Sequence, residues 1–303
     1  MKKIAGVIAI CPTPFTPQGE VDLDSLARLV DFQLEAGIHG LAILGFLGEL
    51  HKLTSFERRR VVETVVARTR GAVPVWVGVR AFGTAGAIEQ SRSAESLGAD
   101  GVFVAPLAGA CDAALFDYYQ QIAESVAIPV AIHDFPDSFG TTIAPELIAR
   151  LAQQTAVRVV KLEEPPVGPK ISRIRELAGD AVSIFGGLGG VYFLEELQRG
   201  AIGTMTGFAF PEVLLRIYAL HAAQQQAQAA AVFDRYCPLL RYEFQPGIGL
   251  ALRKHVYMQR KIIASDFIRA PGAAIDDLTR RELAAVVQRV GLALDRPGVQ
   301  SVA

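Results

Sequence analysis

A lysine that closes an apolar run is the first place where this chain could do chemistry. Val157-Arg158-Val159-Val160-Lys161-Leu162 reads as a short β-branched strand, followed by two carboxylates, Glu163 and Glu164. The pair Pro165-Pro166 then ends regular structure. An amine whose stem is desolvated has a lowered pKa and can add to a ketone as a nucleophile. The plainer alternative is a strand-end lysine that snorkels into water. Glu163 and Glu164 stand just beyond it, and strand alternation sends them to different sides. Proton transfer by one of them is the alternative, and a salt bridge or loop anchor is the expected role of each.

The elements that must position Lys161 follow from the apolar pattern. Ile4 to Cys11 is a nearly continuous apolar run that ends at Pro12-Thr13-Pro14, as a buried strand and a loop would. Asp22 or Asp24 can cap a helix whose apolar residues Leu26, Leu29, Val30 and Leu34 keep helical spacing. That helix stops at Ala36-Gly37, and Leu41 to Leu44 form the next strand. The same punctuation returns around Gly98 and Gly200, each a glycine where a helix C-cap needs a positive φ. Strand starts then fall near Ile4, Leu41, Val75, Gly101, Val130, Val157, Val182 and Ile202.

Strands separated each time by room for one helix imply right-handed crossovers and a parallel sheet. Eight such units predict the α/β class, a closed (β/α)8 TIM barrel over residues 1–222. A dinucleotide-binding sheet would show G-x-G-x-x-G after its first strand, and Cys11-Pro12-Thr13-Pro14-Phe15 stands there instead. Residues 223–303 read as a helical extension, with helices over 232–240, 249–263 and 278–293, packed on the barrel as one structural domain.

Composition removes several function classes. The 303 residues are 51% hydrophobic and 20% charged, ordinary for a globular chain, with a net charge of −1. That charge gives no long-range field for nucleic acid or an anionic membrane, so neither partner is expected. Arg58-Arg59-Arg60 reads as a solvated helix face. Cys11, Cys111 and Cys237 lie far apart without a Cys-x-x-Cys pair, which argues against a zinc site or a disulfide framework. No metal-ligand spacing occurs elsewhere, and no metal is expected. With no signal-peptide pattern and no apolar run of spanning length, a cytoplasmic protein is expected.

In a barrel the reactive groups sit at the C-terminal ends of the strands. That rule selects Gly45-Phe46-Leu47-Gly48-Glu49 after strand two, His133 at strand five and Lys161 at strand six. It also selects Gly186-Gly187-Leu188-Gly189-Gly190 after strand seven and Met205-Thr206-Gly207 at strand eight. A glycine cluster there can admit a phosphate to backbone amides, but a tight turn lining the pocket is the preferred reading. With A-x-x-P-T-P-F near the start, G-x-x-G-E after strand two, x-x-P beyond strand five and V-K after strand six, the chain resembles the dihydrodipicolinate synthase / N-acetylneuraminate lyase family of Schiff-base barrels. The likeness spans almost the whole chain. It implies a lyase or hydro-lyase in which Lys161 forms an imine with pyruvate or another 2-keto acid. No cofactor is needed, because the protonated imine is the electron sink. It also implies a homo-oligomer, a tetramer or dimer of barrels.

Carried over residue by residue, the likeness is partial. Lys161 matches the imine-forming lysine. Gly45, Phe46 and Leu47 match a substrate-carboxylate turn usually written G-T-T-G-E, whose backbone amides can still bind while both hydroxyls are lost. Glu49 is expected to anchor that turn. His133 replaces a tyrosine, and its imidazole can act as acid or base near neutral pH. Gly187 and Met205 complete the expected substrate contacts. A further tyrosine aligns near Ala108, and the arginine of the synthase branch aligns with Ser138. These losses predict poor dihydrodipicolinate synthesis and a place nearer the branch that dehydrates or cleaves 2-keto-3-deoxy sugar acids, as in L-2-keto-3-deoxyarabonate dehydratases. Gly203-Thr204-Met205-Thr206-Gly207-Phe208 and Glu243-Phe244-Gln245-Pro246-Gly247 look like that branch too. The alternative is a barrel that binds a keto acid without turnover.

Overall fold

Apolar runs alternating with capped helices close into a ring of eight parallel strands in the computed structural model, which describes residues 4–296 and 298–302. The strands are β1 Gly6–Ile10, β2 Gly40–Ile43, β3 Val75–Val79, β4 Gly101–Val104, β5 Val130–Asp134, β6 Val159–Leu162, β7 Ser183–Gly186 and β8 Gly203–Thr206. Around them run α1 Leu23–Ala36, α2 Ser55–Thr69, α3 Thr84–Ser96, α4 Asp112–Ser125 and the single turn α5 Pro136–Phe139. The ring continues with α6 Pro145–Gln154, α7 Val167–Ala178, α8 Phe193–Gln198 and α9 Pro211–Ala222. Every expected strand start lies within two residues of the observed one.

Local chemistry explains the boundaries. The Asp22 carboxylate accepts from the Ser25 amide at 2.9 Å and caps α1. Gly37 ends that helix at φ 86°, where a side chain would strain the backbone. Thr54 and Glu57 form a reciprocal capping box at the start of α2.

Strand alternation sends one set of side chains into the barrel and the other onto the helices. The inner set, among them Ile8, Ile10, Trp76, Phe103, Phe185 and Met205, fills the barrel with a packed layer. Large residues face small ones: Trp76 pairs in register with Gly101, where a Cβ would lie 2.7 Å from the indole. The closing seam between β8 and β1 is tighter still. Gly203 sits against Gly6, and a Cβ there would lie 1.9 Å from the Gly6 carbonyl oxygen.

Three further helices follow α9: α10 Gln226–Glu243, α11 Gly249–Gln259 and α12 Asp277–Arg289. The first begins earlier than the apolar spacing predicts, because the Gln/Ala-rich stretch is itself strongly helix-forming. The second ends before Ile263, where Lys261 turns to φ 60° and breaks the hydrogen-bond ladder. These helices are fastened to the barrel by buried charge. Arg260 donates to the Ala209 carbonyl at 2.6 Å and to Glu212 at 2.9 Å, at the start of α9. No helix among the described residues is long and apolar enough to cross a membrane.

The seam yields a stability test. Gly203→Val places atoms inside the β1 backbone, where nothing can rotate away, so a loss of about 3 kcal/mol or more is expected. Urea unfolding of the purified variant measures it. A midpoint equal to wild type would show that β8 and β1 have room to part.

Candidate active site

Lys161 is the third residue of β6, and its inward direction brings it to the mouth of the barrel. In strand register it stands beside His133 on β5 and Phe185 on β7. Its side chain is only 4% exposed. The ammonium hydrogen-bonds to the Glu163 carboxylate, and Nζ lies 2.9 Å from His133 Nε2. That same imidazole nitrogen lies 2.9 Å from Glu163 Oε2. Amine, imidazole and carboxylate therefore form a closed triangle, and a proton can pass between any two corners without heavy-atom movement.

Glu163 completes the triangle because it sits two residues beyond Lys161 and so shares its face. It does form a salt bridge, as expected, but with Lys161 itself. Its second oxygen accepts from the Leu188 amide at 2.9 Å. The space for it is made by Gly187, where a Cβ would lie 2.3 Å from Glu163 Cγ. Gly187 thus packs on the carboxylate that faces Lys161, and the glycine-rich turn holds that carboxylate in place. Glu164 takes the opposite side and pairs with Lys170, which also meets Asp134 at 2.6 Å. The i, i+2 parity with Lys161 was the signal that could have singled out Glu163.

Burial and charge tune the three groups in opposite directions. Burial pushes the Lys161 pKa down, and the Arg253 charge adds to this, while Glu163 resists it. Burial pushes Glu163 up, but Lys161 and His133 outweigh it and hold the carboxyl at about 2. His133 is lowered to about 4 by burial and by Lys161, against the pull of Glu163. The imidazole is therefore neutral at pH 7 and the carboxylate ionised.

The turn after β2 crosses the mouth. Leu47 packs onto the inner barrel layer, and Phe46 stands half out of the surface, stacked on His51 and edge-on to Phe135. The amides of Phe46, Leu47 and Gly48 have no acceptor among the described residues. Gly45 faces the Phe103 ring, 3.0 Å from a built Cβ. Glu49, at φ 57°, anchors the turn: it pairs with Lys254 of α11 at 2.5 Å and with Lys52 at 2.8 Å. Thr13 adds a hydrogen bond to the Gly48 carbonyl at 2.7 Å.

A cavity beside the turn is lined by Phe46, His51, Arg80, Phe103, His133 and Phe139. The Phe139 ring meets His133 edge-on at 4.8 Å and carries the Arg80 guanidinium on its other contacts. Met205 lies fully buried in the layer that fills the barrel, as part of the floor. Ala108 is exposed, and Ser138 lies half-buried in α5. Sequence reading missed Arg253, on α11, whose charge reaches Lys161 across the mouth. Its only signal was its position in a helix expected to cover one side of the barrel.

A lysine sealed at the carboxyl end of a (β/α)8 barrel, with a carboxylate and an imidazole on its nitrogen, is the constellation of a class I aldolase-type lyase. The comparisons agree: the model of the dihydrodipicolinate synthetase family matches residues 3–290, and the chain belongs to that family. It is 32% identical over 292 residues to an L-2-keto-3-deoxyarabonate dehydratase of Azospirillum brasilense, covering 94% of each chain. It is 29% identical over 291 residues to a 4-hydroxy-tetrahydrodipicolinate synthase of Pelobacter propionicus, covering 95% of this chain and 99% of that one. Among solved structures, a dihydrodipicolinate synthase from Rhodopseudomonas palustris superposes with a TM-score of 0.90 at 35% identity, covering 94% and 97%.

The triangle sets a pH dependence. The unfolded chain binds a proton on His133 near 6.5 and on Glu163 near 4.5, whereas the folded groups wait until about 4 and about 2. Between those values the unfolded state holds more protons, so stability is lost on acidification through both windows. Glu163→Gln is expected to lower the unfolding midpoint at pH 7 and remove the decline between about 4.5 and about 2. Urea unfolding from pH 7 to 2 measures both, and parallel profiles would show that Glu163 is not the ionised partner.

Proposed function

We propose that this lyase forms an imine between Lys161 and a 2-keto-3-deoxy sugar acid and eliminates water from it. The observation that carries the reading is the triangle of Lys161, His133 and Glu163 at the sealed barrel mouth. Adding the Lys161 amine to the C2 ketone and expelling water gives an iminium. That cation acidifies C3, and a neighbouring base (the Glu163 carboxylate or the neutral His133) takes the C3 proton to give the enamine. The enamine pair then expels hydroxide from C4, protonated as it leaves, so one water departs and an unsaturated iminium remains for hydrolysis. Every proton in this sequence starts or ends on a corner of the triangle. The imine supplies the electron sink, so the reading includes neither a cofactor nor a metal.

The neighbours of Lys161 argue for this reaction over the one for which the family is named. Phe46 and Leu47 have no hydroxyl to relay a proton, Ala108 no phenol, and Ser138 no charge for a second carboxylate. The dehydratase from Azospirillum brasilense, similar over nearly the whole chain, supports the same choice. The unpaired Cys11, Cys111 and Cys237 fit a reducing compartment, and we place the enzyme in the cytoplasm. On the likeness to its family we also place the chain in a homo-oligomer, a dimer or tetramer of barrels.

Borohydride reduction with pyruvate or a 2-keto-3-deoxy pentonate, then peptide mapping, is expected to mark Lys161, and Lys161→Ala to abolish the adduct. His133→Ala is expected to lower kcat by about 10²- to 10⁴-fold, the usual worth of a positioned acid or base. An unmarked Lys161 across a panel of 2-keto acids sinks the proposal, and an adduct without turnover favours a barrel that only binds. Condensation of pyruvate with aspartate semialdehyde at enzymatic rates would refute the choice of reaction.

A further inference from the structure

One buried cation at the mouth has no work in the reaction just described. Arg253 projects from α11 and is 4% exposed. Its ion-pair partner is Glu243, whose carboxylate lies 3.2 Å from Nε, and Glu163 adds a second negative charge within range. Neither Nη1 nor Nη2 has an acceptor among the described residues, and Nε alone of its nitrogens is both sealed and unsatisfied. The sealed Nε is costly to leave unsatisfied, while the two Nη groups keep donors open to an incoming anion.

Position says which anion. The Arg253 stem passes Gly207 at the end of β8, where a built Cβ would stand 3.8 Å from Arg253 Cδ and 2.7 Å from Leu47 Cδ1. The missing side chain at Gly207 therefore lets the Leu47 side chain of the β2 turn and the Arg253 stem close on one point, with the Nη1 end of the arginine beside Gly249. On the turn side stand the unpaired amides of Phe46 and Leu47. Lys161 near the end of β6 and Gly207 just past the end of β8 stand at the same mouth of the barrel, and the Arg253 charge acts on the amine there. Glu243 compensates Arg253 only partly, since burial raises its carboxyl to about 7. Arg80, the other arginine of the mouth, is exposed and stands over Phe139 on the far side.

We propose that Arg253 binds the carboxylate of the 2-keto acid, with the Phe46 and Leu47 amides on its other edge, and so sets the preference for acids over neutral ketones. This rests on the imine reading above. Where the turn lacks hydroxyls, a guanidinium from the C-terminal helices supplies the donors and the charge. It touches the substrate carboxylate and takes no part in bond breaking.

The test compares pyruvate with its neutral methyl ester. Both can form the imine, and only one has the charge. The rate of borohydride trapping at Lys161 is expected to favour pyruvate in wild type. In Arg253→Gln the trapping of pyruvate should fall about tenfold to hundredfold relative to the ester, the size of one lost charge-assisted contact. Arg253→Lys should recover part of the preference. Any change in Lys161 basicity affects both ketones alike and cancels in the ratio. The Glu243→Gln/Arg253→Gln double variant guards against misfolding by leaving no buried unpaired partner. An acid-to-ester ratio unchanged in Arg253→Gln and in the double variant overturns the proposal. If wild type traps neither ketone, the imine reading fails instead. Calorimetric titration with the same two compounds then decides this proposal: an acid preference lost with Arg253 supports it, and one retained, or none in wild type, refutes it.

Discussion

The contact between Lys161 and Glu163 is the constraint on which the rest of the mouth depends. Burial disfavours the charged form of each, and each lies against the opposite charge of the other, which favours it. Once the pair is fixed, its neighbours follow. His133 must stand beside both, the Leu188 amide must face the carboxylate, and residue 187 must have no side chain. The barrel meets these demands with strand register alone: His133 and Lys161 are direct partners across β5 and β6, and Glu163 is two residues along the same face.

How far this was legible in the sequence differs between layers. The eight strands could be read because a parallel barrel buries each strand on both sides, which leaves continuous apolar runs between glycine-ended helices. Lys161 and His133 could be read because the barrel rule points at strand ends. Glu163 is harder to read, because the parity that separates it from Glu164 also joins it to Lys161, and only the packed barrel shows the two side chains in contact. Met205 shows the reverse case, a strand-end position that the register turns into floor. Arg253 shows in the sequence only as part of a covering helix, since its approach depends on how α11 packs near Gly207, which leaves no periodic trace.

Two kinds of interaction meet at the mouth and obey different physics. On the β5–β7 side, closely spaced ionisable groups share protons at fixed distances, so small displacements would change pKa values. On the β2–β8 side, Leu47, Phe46 and Gly207 offer shape, apolar surface and free amides, with Arg253 and its partner Glu243 beside them. In the reaction proposed above, chemistry belongs to the first side and acceptance of a substrate to the second.

The Glu49–Lys254 pair, described above as an anchor, links the β2 turn to the last quarter of the chain. Adjacent residues of α11 thus meet both ends of the mouth: Lys254 grips the turn through Glu49, and the Arg253 stem passes Gly207, which Leu47 of the turn also approaches. A rotation of that helix by even part of a turn would move both at once. Residues far from Lys161 in sequence, with no share in its reaction, can therefore retune which molecules are admitted, and the strands that carry the chemistry need not change for a new substrate to be tried.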